Sequence, residues 1–145
     1  MYLVLRIVIG GIFIFSGLSK VLSPYQNFLY IIQDYQLLPS WGEVLTAQLF
    51  PWIELIVGVF VFLGLWTSWG LRGALVLSGI FVVVVGQALI RGLSLENCGC
   101  FGGWVHLKPQ AVIVLDSASL LLTSLMLRNI SLTKKISLDS YFEKA

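Results

Sequence analysis

Four long, uninterrupted apolar runs, at about residues 3–22, 44–66, 71–90 and 109–127, constrain this chain more than any other feature. Each is close to the ~20 residues that cross a hydrocarbon core of about 30 Å. A backbone in lipid must satisfy its own hydrogen bonds, which leaves only helices and closed barrels. The runs are continuous rather than alternating, so helices are predicted. Composition agrees, with 58% of the 145 residues hydrophobic and 11% charged, against about 45–50% and about 25% in soluble domains. A soluble fold of this length has too little interior to hide so much apolar surface. The expected fold is all-α, a polytopic bundle of four transmembrane helices. One membrane domain is expected over residues 1–128 and a polar tail over 129–145. The net charge is only +2 and no basic run is interleaved with aromatics, so nucleic-acid binding is set aside. The lipid bilayer is the expected partner.

The first run is roughly twice as long as the apolar region of a signal peptide and lacks a clear small-x-small cleavage site. Lys20 and Pro24 close it, and it reads as a retained helix. The connection at residues 67–70 is very short, so the second and third helices must form an antiparallel hairpin. Trp41, Trp66, Trp69 and Trp104 fall at segment ends, where interfacial anchors sit. Four helices put both termini on one side. That side then carries Arg6, Arg72, Arg128, Lys134, Lys135 and Lys144, and the other carries Lys20, Arg91 and Lys108. The positive-inside rule assigns the first side to the cytoplasm of a cell with the chain in its inner membrane. Residues 23–43 are too many for a tight turn. Ser23-Pro24 reads as a helix cap followed by a first helical position. Phe28, Leu29, Ile32 and Tyr35 then share a face, which predicts an outward-facing amphipathic helix on the membrane surface. Pro39-Ser40 ends that segment. The tail is expected to be cytoplasmic and partly frayed. Gly10 and Gly17, and likewise Gly79 and Gly86, are a heptad apart. That spacing returns small residues to one helix face for close packing.

The two cysteines lie in the run Glu96-Asn97-Cys98-Gly99-Cys100-Phe101-Gly102-Gly103, in the outward connection after the third helix. Disulfides persist in that compartment. Residues two apart can hold their Cα atoms roughly 7 Å apart, whereas a relaxed bridge wants about 5.5–6 Å. Gly99 can bend enough to close the ring. Such a bridge is strained, and strained bridges are the labile or catalytic ones. It closes a tiny loop and so adds little entropic stability. A redox-active dithiol is the leading reading. Unreactive thiols, a structural disulfide, and a metal site completed by further ligands, with His106 the only histidine, stay open.

Ionisable groups inside spans are expensive and face the bundle interior, paired or functional. Glu54 lies roughly 15 Å into the second span and Asp116 roughly 10 Å into the fourth. Arg6 and Lys20 sit at opposite ends of the first, and Gln87 and Arg91 in the outer part of the third. One reading is helix packing alone. The other is a polar pocket under the cysteine loop, formed by Lys20, Gln87, Arg91 and Asp116. There a positive charge would favour a thiolate and Glu54 would relay protons. Pro51, one turn before Glu54, would kink its helix and open that space.

Together these residues resemble a known family. Arg6…Gly10…Phe13…Ser16-Gly17-Leu18…Lys20 is similar to the opening helix of the MauE/DoxX-type membrane proteins. Leu49…Pro51…Ile53-Glu54-Leu55…Gly58 resembles their second helix. Arg91-Gly92 followed by Cys98-Gly99-Cys100-Phe101-Gly102 resembles the Cys-x-Cys-Phe-Gly signature of the MauE branch. The resemblance covers roughly residues 3 to 127. It implies a four-helix bundle tied to redox processes, associated in the MauE branch with methylamine dehydrogenase maturation beside a thioredoxin-like partner. The architecture is also similar to that of the quinone-linked DsbB and vitamin K epoxide reductase enzymes, an analogy of fold alone. Those enzymes use two cysteine pairs, and this chain has one. The resemblance implies that Cys98 and Cys100 exchange electrons with an extracytoplasmic thioredoxin-like protein; either the same pair also contacts membrane quinone, or the electrons end elsewhere. Arg91, Glu54 and Asp116 would assist the chemistry, and Lys20, Gln87, Phe101 and Arg6 would contact the quinone. Two other functions fit the same residues: a carrier of a soft metal or sulfur species, and a non-catalytic anchor for a redox partner.

Overall fold

In a computed structural model, residues 2–92 and 108–134 are described. They form α1 (Tyr2–Leu22), α2 (Tyr25–Tyr35), α3 (Ser40–Leu63), α4 (Thr67–Ile90), α5 (Pro109–Arg128) and the short α6 (Ile130–Lys134), and no strand occurs among them. Four helices, α1, α3, α4 and α5, are long and apolar enough to cross a membrane. The chain is therefore a multi-pass membrane protein of four apolar helices with a short amphipathic one, α2, between the first two.

The bundle is built from two close pairs, α1 on α3 and α4 on α5, joined by the α3–α4 hairpin. Glycine explains the first pair. A Cβ on Gly10 would lie 2.6 Å from the Phe62 backbone nitrogen, one on Gly17 2.7 Å from that of Leu55, and one on Gly58 2.7 Å from that of Ile14. Backbones this close gain dispersion contact along the whole interface, which substitutes for a hydrophobic drive that lipid does not supply. Gly79 and Gly86 face Leu120 and Ile113 at 3.8 and 3.6 Å, so the second heptad pair marks ordinary packing between α4 and α5.

Outward faces are apolar. Ile90 is 89% exposed, and Val4, Val83 and Val114 at least 60%, as side chains in lipid should be. Trp41, Trp66 and Trp69 stand out from helix ends, at the depth of an interfacial belt. The core instead collects Ile9, Phe13, Val61, Leu71, Ala74, Leu77 and Met126, together with buried polar groups.

Several boundaries differ from expectation. The second span begins at Ser40, because Pro39 in an extended conformation caps it through its carbonyl. It ends at Leu63, because Gly64 turns left-handed (φ 70°) and donates its N–H to Phe60 O. The hairpin turn is therefore Gly64-Leu65-Trp66. Residues 67–70, expected to be the linker, form the first turn of α4, with Thr67 Oγ1 donating to Gly64 O. Pro24, one residue later than expected, occupies the cap position of α2, and Ser23 Oγ donates back to Ser19 O. The amphipathic helix stops at Tyr35 on a left-handed Gln36, before Pro39-Ser40. The start of the tail is docked, with Thr133 buried and its Oγ1 donating to Met126 O.

Candidate functional site

The buried face of α1 carries Arg6, Ile9, Gly10, Phe13, Ser16, Gly17 and Lys20. Helical spacing of three and four thus puts the packing glycines and the polar residues on one stripe. Where Gly17 meets α3, Ser16 and Lys20 are carried against Glu54. Lys20 Nζ donates to Glu54 Oε2 at 2.7 Å and to Ser16 Oγ at 2.7 Å, and Ser16 Oγ donates to Glu54 Oε1 at 3.3 Å. Both charged side chains are wholly buried. Phe28 of α2 and Phe81 of α4 roof the ammonium, their ring centroids 5.3 and 5.4 Å from Nζ, a cation–π arrangement that offsets part of its desolvation. Taking either ion from water costs several kcal/mol, which the close partners and the two rings offset in part.

Two cavities flank this pair. One, of about 340 Å³, lies between α2, α3 and α4 and is lined by Phe28, Ile32, Tyr35, Phe50, Phe81 and Val84 among other apolar side chains. Phe28 and Phe81 are thus shared between its wall and the Lys20 roof. It is more than twice the size of the roughly 150 Å³ apolar cavity that accommodates benzene, so it has room for a substituted ring. The second cavity, of about 20 Å³, is bordered by the polar Ser16, Glu54, Asp116 and Ser119 and by the apolar Ile12, Phe13, Phe81, Val112 and Leu115.

Lys20, Glu54 and Asp116 thus come together. The others do not join them. Arg6 is buried, but 14 residues before Lys20, about 21 Å away along α1. Gln87 is half-buried on α4, outside the lining of both cavities. Arg91 is exposed and donates from its guanidinium to Tyr35 O at 3.4 Å, tying the end of α4 to the end of α2. α3 runs as one helix through Pro51, whose carbonyl oxygen lies 2.8 Å from where a Cβ on Gly17 would be. Cys98, Cys100, Phe101, Trp104 and His106 lie outside the described residues.

Four contributors carried no such reading in the sequence. Ser16 links Lys20 to Glu54, and its signal was the i, i+4 spacing to Lys20. Ser119 shares the small cavity with Asp116, one turn further along α5. Phe28 and Phe81 cover the ammonium, and no spacing relates residues on separate helices.

Comparison with known proteins gives a consistent picture. Residues 1–128 match the family described as Methylamine utilisation protein MauE. A curated relative named Methylamine utilization protein MauE, from Methylorubrum extorquens, is 27% identical over 99 residues, or 68% of this chain and 53% of the relative. The chain thus spans about half the length of that relative. No solved structure matches the chain.

Proposed function

The chain belongs to the MauE family, and from that premise we propose that it is a membrane thiol–disulfide redox protein serving methylamine utilisation. In this reading Cys98 and Cys100 exchange electrons with a thioredoxin-like protein outside the cytoplasmic membrane. The observation that carries it is where the Cys98-Gly99-Cys100 run stands in the chain. In sequence it lies between Gly92 and Lys108, and those two described residues are at the end of the bundle that holds Lys20, α2 and the apolar cavity.

A bridge between residues two apart is strained, which suits it to exchange. Each exchange moves two electrons and two protons, as one disulfide becomes a dithiol and the partner's dithiol becomes a disulfide. A quinone, when bound, would supply the second electron partner. The residues fit one, since the larger cavity is apolar, large enough for a ring, and open toward lipid-facing Leu37, Leu38 and Ile80. Phe28, Phe50 and Phe81 would bracket such a ring. Lys20 and Glu54 neutralise each other, so in this reading the pair sets the polarity at the cavity's inner wall rather than lending its charge to a thiolate. Arg91 then acts by holding α2 over the cavity.

The test is the redox state of Cys98 and Cys100 in intact membranes, read by a mass-tag thiol reagent across thiol/disulfide buffers with and without added quinone. The expected result is a reversible transition at about −120 to −230 mV, where exchange catalysts are poised, shifted toward disulfide by quinone. Thiols that stay reduced throughout, or that react only after metal is stripped, would overturn the proposal. The second of these would point to a soft-metal carrier.

A further inference from the structure

We propose that the small cavity between α1, α3 and α5 is a binding site for one hard monovalent cation, Na⁺ or a proton carried by water. Its oxygen donors are those of Ser16, Glu54, Asp116 and Ser119. This goes beyond the cysteine chemistry and does not depend on it.

The first observation is charge. The charged groups that act on Asp116 are Glu54 from α3 and Lys20 from α1, and α4 contributes only the ring of Phe81 to the cavity. Lys20 is committed to Glu54 at 2.7 Å. Lys20 can therefore offset only one of the two carboxylates around this cavity, so ionisation of Asp116 there calls for a second positive charge beside it. The second observation is unmet hydrogen bonding. Asp116 Oδ2 is buried without a partner, and Ser119, 5% exposed, has an unpartnered Oγ bordering the same cavity. Buried polar atoms left in this way cost about 1–3 kcal/mol each, and one ligand in their midst satisfies both.

The third observation is size and donor type. A volume of about 20 Å³ exceeds the ~10–15 Å³ that one water needs, so it admits one small ion or one water. The donors are carboxylate and hydroxyl oxygens, which suit hard cations. Among the described residues no three His, Cys, Asp or Glu side chains converge, so the site lacks the carboxylates that a divalent ion would need to shed its water. Thr123, fully buried with an unpartnered hydroxyl, continues the stripe one turn below Ser119 on α5. The polar path thus runs on from the cavity toward the opposite end of the bundle.

The experiment uses the full chain in nanodiscs. Radiolabelled Na⁺ binding is measured at alkaline pH with choline as the competing counter-cation. The protonated-carboxyl infrared band is then followed as pH is varied without Na⁺. Saturable binding of about one Na⁺ per chain is expected for the sodium form. It should be lost in Asp116→Asn, weakened about tenfold in Ser119→Ala, and retained in Cys98→Ser/Cys100→Ser. For the proton form, no Na⁺ binds, and the carboxyl band titrates reversibly, disappears in Asp116→Asn and moves in Ser119→Ala. Asp116→Asn is near-isosteric, and Ser119→Ala provides a second, milder variant should Asn disturb folding. Absence of both signals, or either signal unchanged in Asp116→Asn, overturns the proposal. Loss of redox activity in the cysteine variant with ion binding intact separates this site from the proposed function.

Discussion

At residue scale the molecule turns on Lys20 and Glu54, two ions that meet at 2.7 Å with no exposed surface. Breaking a buried pair from one side leaves an uncompensated charge and costs about 3–5 kcal/mol, whereas replacing both partners with apolar residues of similar volume is often neutral. Lys20→Met and Glu54→Met should therefore each destabilise the detergent-solubilised protein by about that amount. Lys20→Met/Glu54→Met should recover most of the loss. Thermal unfolding of the four proteins closes the cycle, and additive losses would show that the two residues do not act as a pair. Both residues were legible in the sequence as expensive intramembrane charges. Their partnership was not, because it depends on the register of α1 against α3. That register is fixed by which glycine meets which backbone, and hydropathy does not encode it.

At the scale of elements, that register rests on Gly10, Gly17 and Gly58, where an added Cβ would meet main-chain atoms at 2.6–2.8 Å. Main chain cannot step aside as a side-chain end can, so Gly17→Ala and Gly58→Ala should separate the helices. Each should cost about 1–3 kcal/mol, the usual range for overpacking. Gly11→Ala is the control. It sits in the same helix, its Cβ would meet nothing within 4 Å, and removing a helical glycine favours the helix by up to ~1 kcal/mol. Unfolding midpoints should fall for the first two and hold or rise for the third; equal effects would show that helix propensity, not contact, decides. The heptad spacing made the α1 glycines legible as a packing face. It did not separate Gly10 and Gly17 from the looser Gly79 and Gly86, because small residues at the same spacing also serve ordinary contact. The turn between α3 and α4 was misplaced for a related reason. Trp66 and the polar Thr67-Ser68 read as a segment end followed by linker, yet Gly64 with its left-handed φ of 70° ends α3 at Leu63, three residues earlier.

For the whole molecule, the four apolar runs settled the architecture in advance, because length and continuity alone dictate spanning helices. Orientation is a separate matter, decided by charge. The N-terminus of α1, the α3–α4 turn and the C-terminus of α5 share one end of the bundle, while α2 and the ends of α4 and α5 nearest the cysteine run share the other. The orientation proposed from the basic bias has the first end in the cytoplasm, the end where Arg72 stacks 5.3 Å over Trp69 beside the hairpin turn. Proposed disulfide chemistry needs the second end outside, so topology and function stand or fall together. Single cysteines in a Cys98→Ser/Cys100→Ser background make this measurable. Gln26→Cys on α2 and Asn129→Cys after α5 are both exposed positions and change no buried contact. An impermeant maleimide should label Gln26→Cys in intact cells, and Asn129→Cys only after the membrane is opened. The reverse pattern would put the Cys98-Gly99-Cys100 run in the reducing compartment. There a strained two-residue bridge would not persist, and exchange with an outside partner would be ruled out while the ion site, buried at neither face, would be untouched.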